Sequence, residues 1–165
     1  MINYFEIFGF QQDYFIAKDR LEQEYFKLQM QAHPDRMIGK TEAEKKALLG
    51  TSANVNEGYG ILNDDVRRAE FLLELNGVRV NHERDNDFQP SQALLVEQME
   101  LRERAGEIES GLENKAELLS HVDAEFENEK KEFNKYFSKK LFAQAAESAM
   151  RLKYLEKLKD ELEKL

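Results

Sequence analysis

Cysteine is absent from this chain, which excludes disulfides, thiolate-bound zinc or clusters, and cysteine nucleophiles. Proline is nearly absent, occurring only as Pro34 and Pro90. With so few helix breakers, 35% charged residues and no alternating β-branched runs, the chain reads as all-helical. No apolar run approaches the ~18 residues of a membrane span. The N-terminus lacks a basic region followed by an apolar block, and a structured turn expected from Asn3 leaves no room for a leader. The expected setting is therefore a reducing compartment, the cytoplasm. Basic charge is also in deficit: 24 Lys plus Arg face 33 Asp plus Glu, a net −9 shared by both halves. Nucleic acid or an anionic membrane would need a basic surface, so neither partner is expected. At 165 residues, one or two small domains with a buried core are possible.

What is present centres on His33-Pro34-Asp35. Before it, Leu21, Tyr25, Leu28 and Ala32 give residues 18–32 one apolar helical face, while Arg20, Glu24, Lys27 and Gln31 mark a mixed polar one. Pro34 lacks an amide hydrogen and disfavours helix at the residue before it, so the helix should stop near His33. A new helix is signalled at Thr41, three residues before Glu44, the spacing of a capping box. Over 41–62, Leu48, Ser52, Val55, Tyr59 and Leu62 can pack against the preceding helix as an antiparallel hairpin. Gly58 and Gly60 each cost about 1 kcal/mol in a helix, so its last turn should be loose. Short flanking helices are expected over 3–8, ending at Gly9, and over 65–76, ending before Gly77.

His33 and Asp35 have no Ser or Cys nucleophile and no glycine-rich oxyanion or phosphate loop near them in sequence, so catalysis is not expected. His33, His82 and His121 lack metal-ligand spacing: His82 reads as linker and His121 as helix surface. No cofactor is implied.

Tyr4-Phe5-Glu6-Ile7-Phe8-Gly9, the tripeptide, Asn56-Glu57-Gly58-Tyr59-Gly60-Ile61-Leu62 and Arg67-Arg68-Ala69-Glu70-Phe71-Leu72-Leu73 together resemble a J-domain, the module that activates DnaK-type chaperone ATPases. The likeness covers residues 3–76, and departs where the family often has proline at Asp65. It implies that Asp35 pairs with an arginine of the chaperone, that His33 packs beside it, and that Pro34 holds both. The second helix of J-domains usually presents a basic face to an acidic chaperone surface. Here Glu22 and Glu24 dilute that face, leaving Lys27 and Arg36 as the cations expected at the contact.

Residues 77–90 are polar and aperiodic and read as a linker between domain 1–76 and domain 91–165. Ser91 is a candidate N-cap. Over 92–109, Leu94, Gln98, Leu101, Ala105 and Ile108 form a core stripe. Advancing ~100° per residue puts Leu95, Val96, Met99, Glu100, Glu103 and Glu107 on the other side. That second face is either an interaction surface or is itself buried in a bundle. Leu112, Leu119, Phe126 and Phe133 repeat every seven residues, with Ala116 and Phe137 filling in and Asp123 and Lys130 interrupting. Leu141, Ala145, Leu152, Leu155 and Leu162 line a last helix, with Met150 and Tyr154 off its main stripe. The pattern predicts a three-helix antiparallel bundle.

Leu94-Leu95-Val96-Glu97-Gln98-Met99-Glu100-Leu101-Arg102-Glu103-Arg104 and Arg151-Leu152-Lys153-Tyr154-Leu155-Glu156-Lys157-Leu158 resemble the C-terminal domain of HscB-type J-proteins. In that family the second domain holds IscU, the iron–sulfur scaffold, and presents it to the chaperone HscA. The resemblance implies scaffold contacts at Leu95, Val96, Met99, Glu100, Glu103, Glu107 and Tyr154, and a bacterial type, since the cysteine zinc motif of eukaryotic relatives is missing. It implies a co-chaperone of iron–sulfur cluster assembly acting through protein complex oligomerization. The residues alone leave open a J-domain protein with another client or with self-association, and a structural helical protein with a chance His-Pro-Asp.

Overall fold

The computed structural model describes residues 1–80 and 86–165; His82 lies outside the described residues. Seven α-helices and no strand occur among them, and contacts divide the chain into two units, Met1–Leu75 and Asn76–Leu165.

The first unit holds α1 (Tyr4–Ile7), α2 (Lys18–Gln31), α3 (Glu42–Asn63) and α4 (Asp65–Leu75). Three of these begin where a side-chain oxygen accepts orphan amides. Asn3 Oδ1 takes Phe5 N–H, Thr41 Oγ1 takes Glu44 N–H, and Asp64 Oδ1 takes those of Val66 and Arg67. Between α2 and α3, Tyr25 stacks on Tyr59 with ring centroids 4.0 Å apart, and its hydroxyl donates to Asn56 Oδ1 at 2.8 Å. Lys18 at the start of α2 reaches Asn63 at the end of α3, so the pair is antiparallel. Phe5, Phe8, Leu21, Val55, Leu62, Ala69 and Leu72 are buried beneath it. Each large side chain contributes roughly 1.5–3 kcal/mol by leaving water.

The end of α3 is not loose, contrary to expectation: the helix runs unbroken to Asn63. Gly58 is buried, and a Cβ there would lie 2.7 Å from Tyr4 Cδ1 and 3.1 Å from Phe8 Cε2. The missing side chain is what lets α1 approach α3. Arg68, also buried, ties the start of α4 to the preceding chain. Its guanidinium donates to the Tyr14 carbonyl, to the Leu62 carbonyl at 2.8 Å and to Asp65 Oδ1 at 2.8 Å, and it lies over the Tyr14 ring.

The second unit holds α5 (Gln92–Gly106), α6 (Lys115–Ser138) and α7 (Phe142–Glu163). Bonds from Ser91 to Glu147, Glu97 to Arg151 and Arg102 to Glu161 advance in the same direction along α5 and α7. Those helices therefore run parallel, and α6 returns between them in sequence, up-down-up. Leu101, Leu118, Val122, Leu155, Leu158 and Leu162 form the core, with Ala105, Ile108, Leu119 and Phe126 at its edge.

The phase of α6 differs from the heptad reading. Leu112 precedes the helix and is 77% exposed, because Asn114 caps α6 by accepting Glu117 N–H. Leu118, Val122, Glu129 and Phe133 are the buried residues, and of the predicted seam only Phe133 lies fully inside. A seven-residue count sets spacing but not phase, and the residues flanking a stripe fill in wherever a neighbour packs squarely. Asp123 and Lys130 sit at the margin, the first paired with Lys159 at 2.8 Å and the second over the Phe126 ring. Along α7 the buried surface is broader than one stripe and takes in Met150, whereas Leu141, ahead of the helix, is exposed. Of the stretch expected to be a linker, Arg79 and Asp87 exchange backbone and side-chain hydrogen bonds, and Val78 and Val80 are buried.

Candidate functional site

At the tip of the α2–α3 hairpin the chain does not remain an irregular loop but winds into a 3-10 turn, Pro34–Met37. Pro34 occupies the first turn, where its missing N–H costs nothing. His33 is the cap: its backbone is extended (φ −61°, ψ 145°) and Nδ1 accepts the Asp35 N–H at 3.2 Å. A ring nitrogen that accepts this bond has no proton to offer the carboxylate, although Asp35 Oδ2 stands only 3.5 Å away. Asp35 projects with its side chain 86% exposed, and among the described residues no Lys or Arg pairs with it. Residues 33–36 are all exposed, so the tip is not folded inward.

The expected cations are placed differently from one another. Arg36 lies on the 3-10 turn beside Asp35, exposed. Lys27 lies on α2, exposed, with its amine 3.5 Å from Glu24. Arg20 is drawn away from the polar stripe: it donates to the Gly9 carbonyl and covers the Phe10 ring.

In the second unit, Leu95, Val96, Met99, Glu100 and Glu103 are exposed side by side on α5, Met99 at 62%. Helical geometry places them within an arc of about 140°, opposite Leu94, Gln98 and Leu101. Those three are buried, so this outer side is not sealed against its neighbours. Gly106 ends the helix three residues earlier than the expected 109, leaving Glu107 at the C-cap, exposed but past the regular face. Tyr154 is half-buried on α7, between the Arg151–Glu97 and Arg102–Glu161 bridges, which sets it level with the middle of the α5 face.

Sequence reasoning passed over the arginines that hold α5 in place. Arg151 Nε donates to Glu97 Oε2 at 2.9 Å, and its Nη1 lies 3.4 Å from Glu129 Oε1. Glu129 is buried and accepts the Ser148 hydroxyl at 2.6 Å. Burial works against the Arg151 charge, yet the hydrogen bonds and charges of Glu97 and Glu129 outweigh it and raise its pKa. Arg104 likewise donates to Glu113 at 3.0 Å, and that hydrogen bond holds the Glu113 carboxyl below its ordinary range. Nothing in the sequence marks these pairs, since their members are 54 and 9 residues apart.

His121 is exposed on α6, 3.0 Å from Glu125. Among the described residues no cluster of His, Asp or Glu could hold a metal ion, and no helix is long and apolar enough to cross a membrane.

Residues 90–163 match the family model described as the HSCB C-terminal oligomerisation domain. The co-chaperone protein HscB homolog of Shewanella oneidensis is 31% identical over 99% of this chain and 97% of its own length. Chaperone HscB from Vibrio cholerae has a similar structure, with TM-score 0.86 and 27% identity over 99% of this chain and 96% of that one. Human co-chaperone HscB shares the fold at TM-score 0.86 and 23% identity, over 99% of this chain and 81% of that one.

Proposed function

The chain belongs to the HscB family of co-chaperones, and from that premise we propose that it stimulates the ATPase of a DnaK-type chaperone, HscA, while delivering the scaffold IscU to it for iron–sulfur cluster assembly or transfer. The observation that carries the reading is the pairing of two exposed, chemically different surfaces on separate units. One is a stiff tip ending in the Asp35 carboxylate. The other is the apolar and acidic side of α5.

At the tip, His33 and Pro34 set the backbone so that Asp35 is held out towards an arginine of the chaperone. A charge-assisted bond of this kind cannot be remade by an uncharged side chain. Lys27 and Arg36 flank it. On α5, Leu95, Val96 and Met99 offer about the apolar core of a small interface, and Glu100, Glu103 and Glu107 its rim, with Tyr154 beside them. This composition suits a scaffold patch that is apolar and basic. The chain does no chemistry of its own: ATP and cluster belong to its partners, and the place of action is the cytoplasm.

Asp35→Asn should abolish stimulation of HscA ATP turnover while leaving IscU binding intact. Leu95→Ala with Met99→Ala should do the reverse, raising the IscU dissociation constant by about tenfold or more, since apolar anchors dominate such contacts. A single substitution that removed both activities from a folded protein would overturn the division of labour. The matched family model is described as an oligomerisation domain, which supports a second reading of the α5 face as a self-association surface. Sedimentation of the chain alone and with IscU separates them: a dimer that dissociates on Met99→Ala and ignores IscU would favour the second.

A further inference from the structure

We propose that Arg151 is a positioning residue for scaffold binding: by gripping Glu97 on α5 and Glu129 on α6 at once, it sets the rotation of α5 and so the direction in which Leu95 and Met99 face. The inference deepens the function proposed above and rests on it. Helix α5 needs such a hold because its buried strip is narrow, only Leu94, Gln98 and Leu101. One of those three is polar, and among the described residues the Gln98 Oε1 has no hydrogen-bond partner, so the strip anchors the helix less firmly than three apolar side chains would. Helical geometry puts Glu97 roughly 70° to one side of the strip and Arg102 roughly 70° to the other. Ion pairs at those flanks resist rotation of α5 about its own axis.

The flanks are not held alike. Arg102 reaches Glu161 of α7 at 2.7 Å, with both side chains open to water. Arg104, on the Glu97 side, pairs with Glu113 in the chain between α5 and α6, and so ties α5 only to its own exit. Arg151 joins all three helices. From α7 its Nε and Nη2 donate to the two carboxylate oxygens of Glu97 at 2.9 and 3.5 Å, and its Nη1 donates to Glu129 Oε1 at 3.4 Å. Glu129 is buried, and the same Oε1 accepts the Ser148 hydroxyl, so the inner edge of the guanidinium is fixed. A lysine cannot reproduce this bridge, because an ammonium is a single point of charge and a guanidinium carries donors along two edges. Placed at 151, an ammonium would stay with Glu129, since an unpaired carboxylate costs far more inside than at the half-exposed Glu97. Arg151→Lys therefore releases α5 without stranding the buried charge.

The test measures IscU affinity by calorimetry, HscA stimulation without IscU, and the urea midpoint, for Arg151→Lys, Glu97→Gln and the two combined. Each single substitution should raise the IscU dissociation constant about threefold to fivefold, the upper range for a bridge this open to water. The double variant should bind no more weakly than either single one, because both break the same bridge. HscA stimulation and the midpoint should stay close to wild type. Wild-type affinity in Arg151→Lys overturns the positioning role, and so do additive losses in the double variant. A loss confined to Glu97→Gln assigns Glu97 to the contact itself and overturns it too. Affinity, stimulation and midpoint falling in step show a damaged bundle and likewise overturn it. A wild-type protein that leaves IscU unbound removes the proposed function, and this inference with it.

Discussion

At position 58 a hydrogen replaces a side chain because Tyr4 and Phe8 already occupy the space a Cβ would take. Gly58→Ala sets two effects against each other. Alanine gains about 1 kcal/mol of helix propensity, while overpacking against two ring atoms that cannot swing away costs about 1–3 kcal/mol. The clash should win, giving a net loss of up to about 2 kcal/mol in urea unfolding; an unchanged midpoint would mean that α1 is free to shift. The same residue shows how a sequence can mislead: read along its own helix, Gly58 is a weak point, and only its neighbour across the fold explains it. Arg68 teaches the converse. Quoted as part of a family pattern, it turns out to be a buried clamp on the carbonyls of Tyr14 and Leu62, 54 and 6 residues away.

Helix α5 buries only Leu94, Gln98 and Leu101 fully, so it leans on α6 and α7 through a narrow strip. Bridges from Arg151, Arg102 and Arg104 fix where it sits, and thereby where its outer face points. Of these, Glu113 titrates within reach. Its folded pKa is lowered by the Arg104 hydrogen bond from an ordinary 4.5, so the bridge stabilises fully above that value and fades as pH falls through the lower one. Arg104→Gln should therefore lower the urea midpoint slightly at pH 7, and the difference from wild type should vanish under acid conditions. The effect should be small, since the Arg104 side of the pair is open to water and salt. A gap that persisted once the Glu113 carboxyl of the folded protein is protonated would show that Arg104 acts by packing instead. The boundaries of α5, α6 and α7 were foreshadowed to within a few residues by Ser91 and the apolar repeats, whereas the Asn114 cap of α6 was not singled out. The face that α6 buries was not foreshadowed, because its members, Leu118, Val122, Glu129 and Phe133, include a glutamate and do not follow an apolar seven-residue count.

Across the whole molecule, the acid excess of −9 falls on both units and leaves no basic field for polyanions. The protein should fail to shift duplex DNA or co-sediment with anionic vesicles at about 0.15 M salt, where binding would require several clustered cations. Retention on either would contradict the charge argument. What the sequence determined by itself was local: an all-helical chain, the hairpin broken at Pro34, the caps at Thr41 and Ser91, and the two sides of α5. Such features depend on residues a few positions apart, which interact however the rest of the chain is arranged. Tertiary structure alone decided which leucines of α6 face inward, why position 58 must be glycine, and how the arginines brace α5. Each of these turns on what lies opposite a residue in space, and periodicity says which way a side chain points around its own axis but not what it meets there.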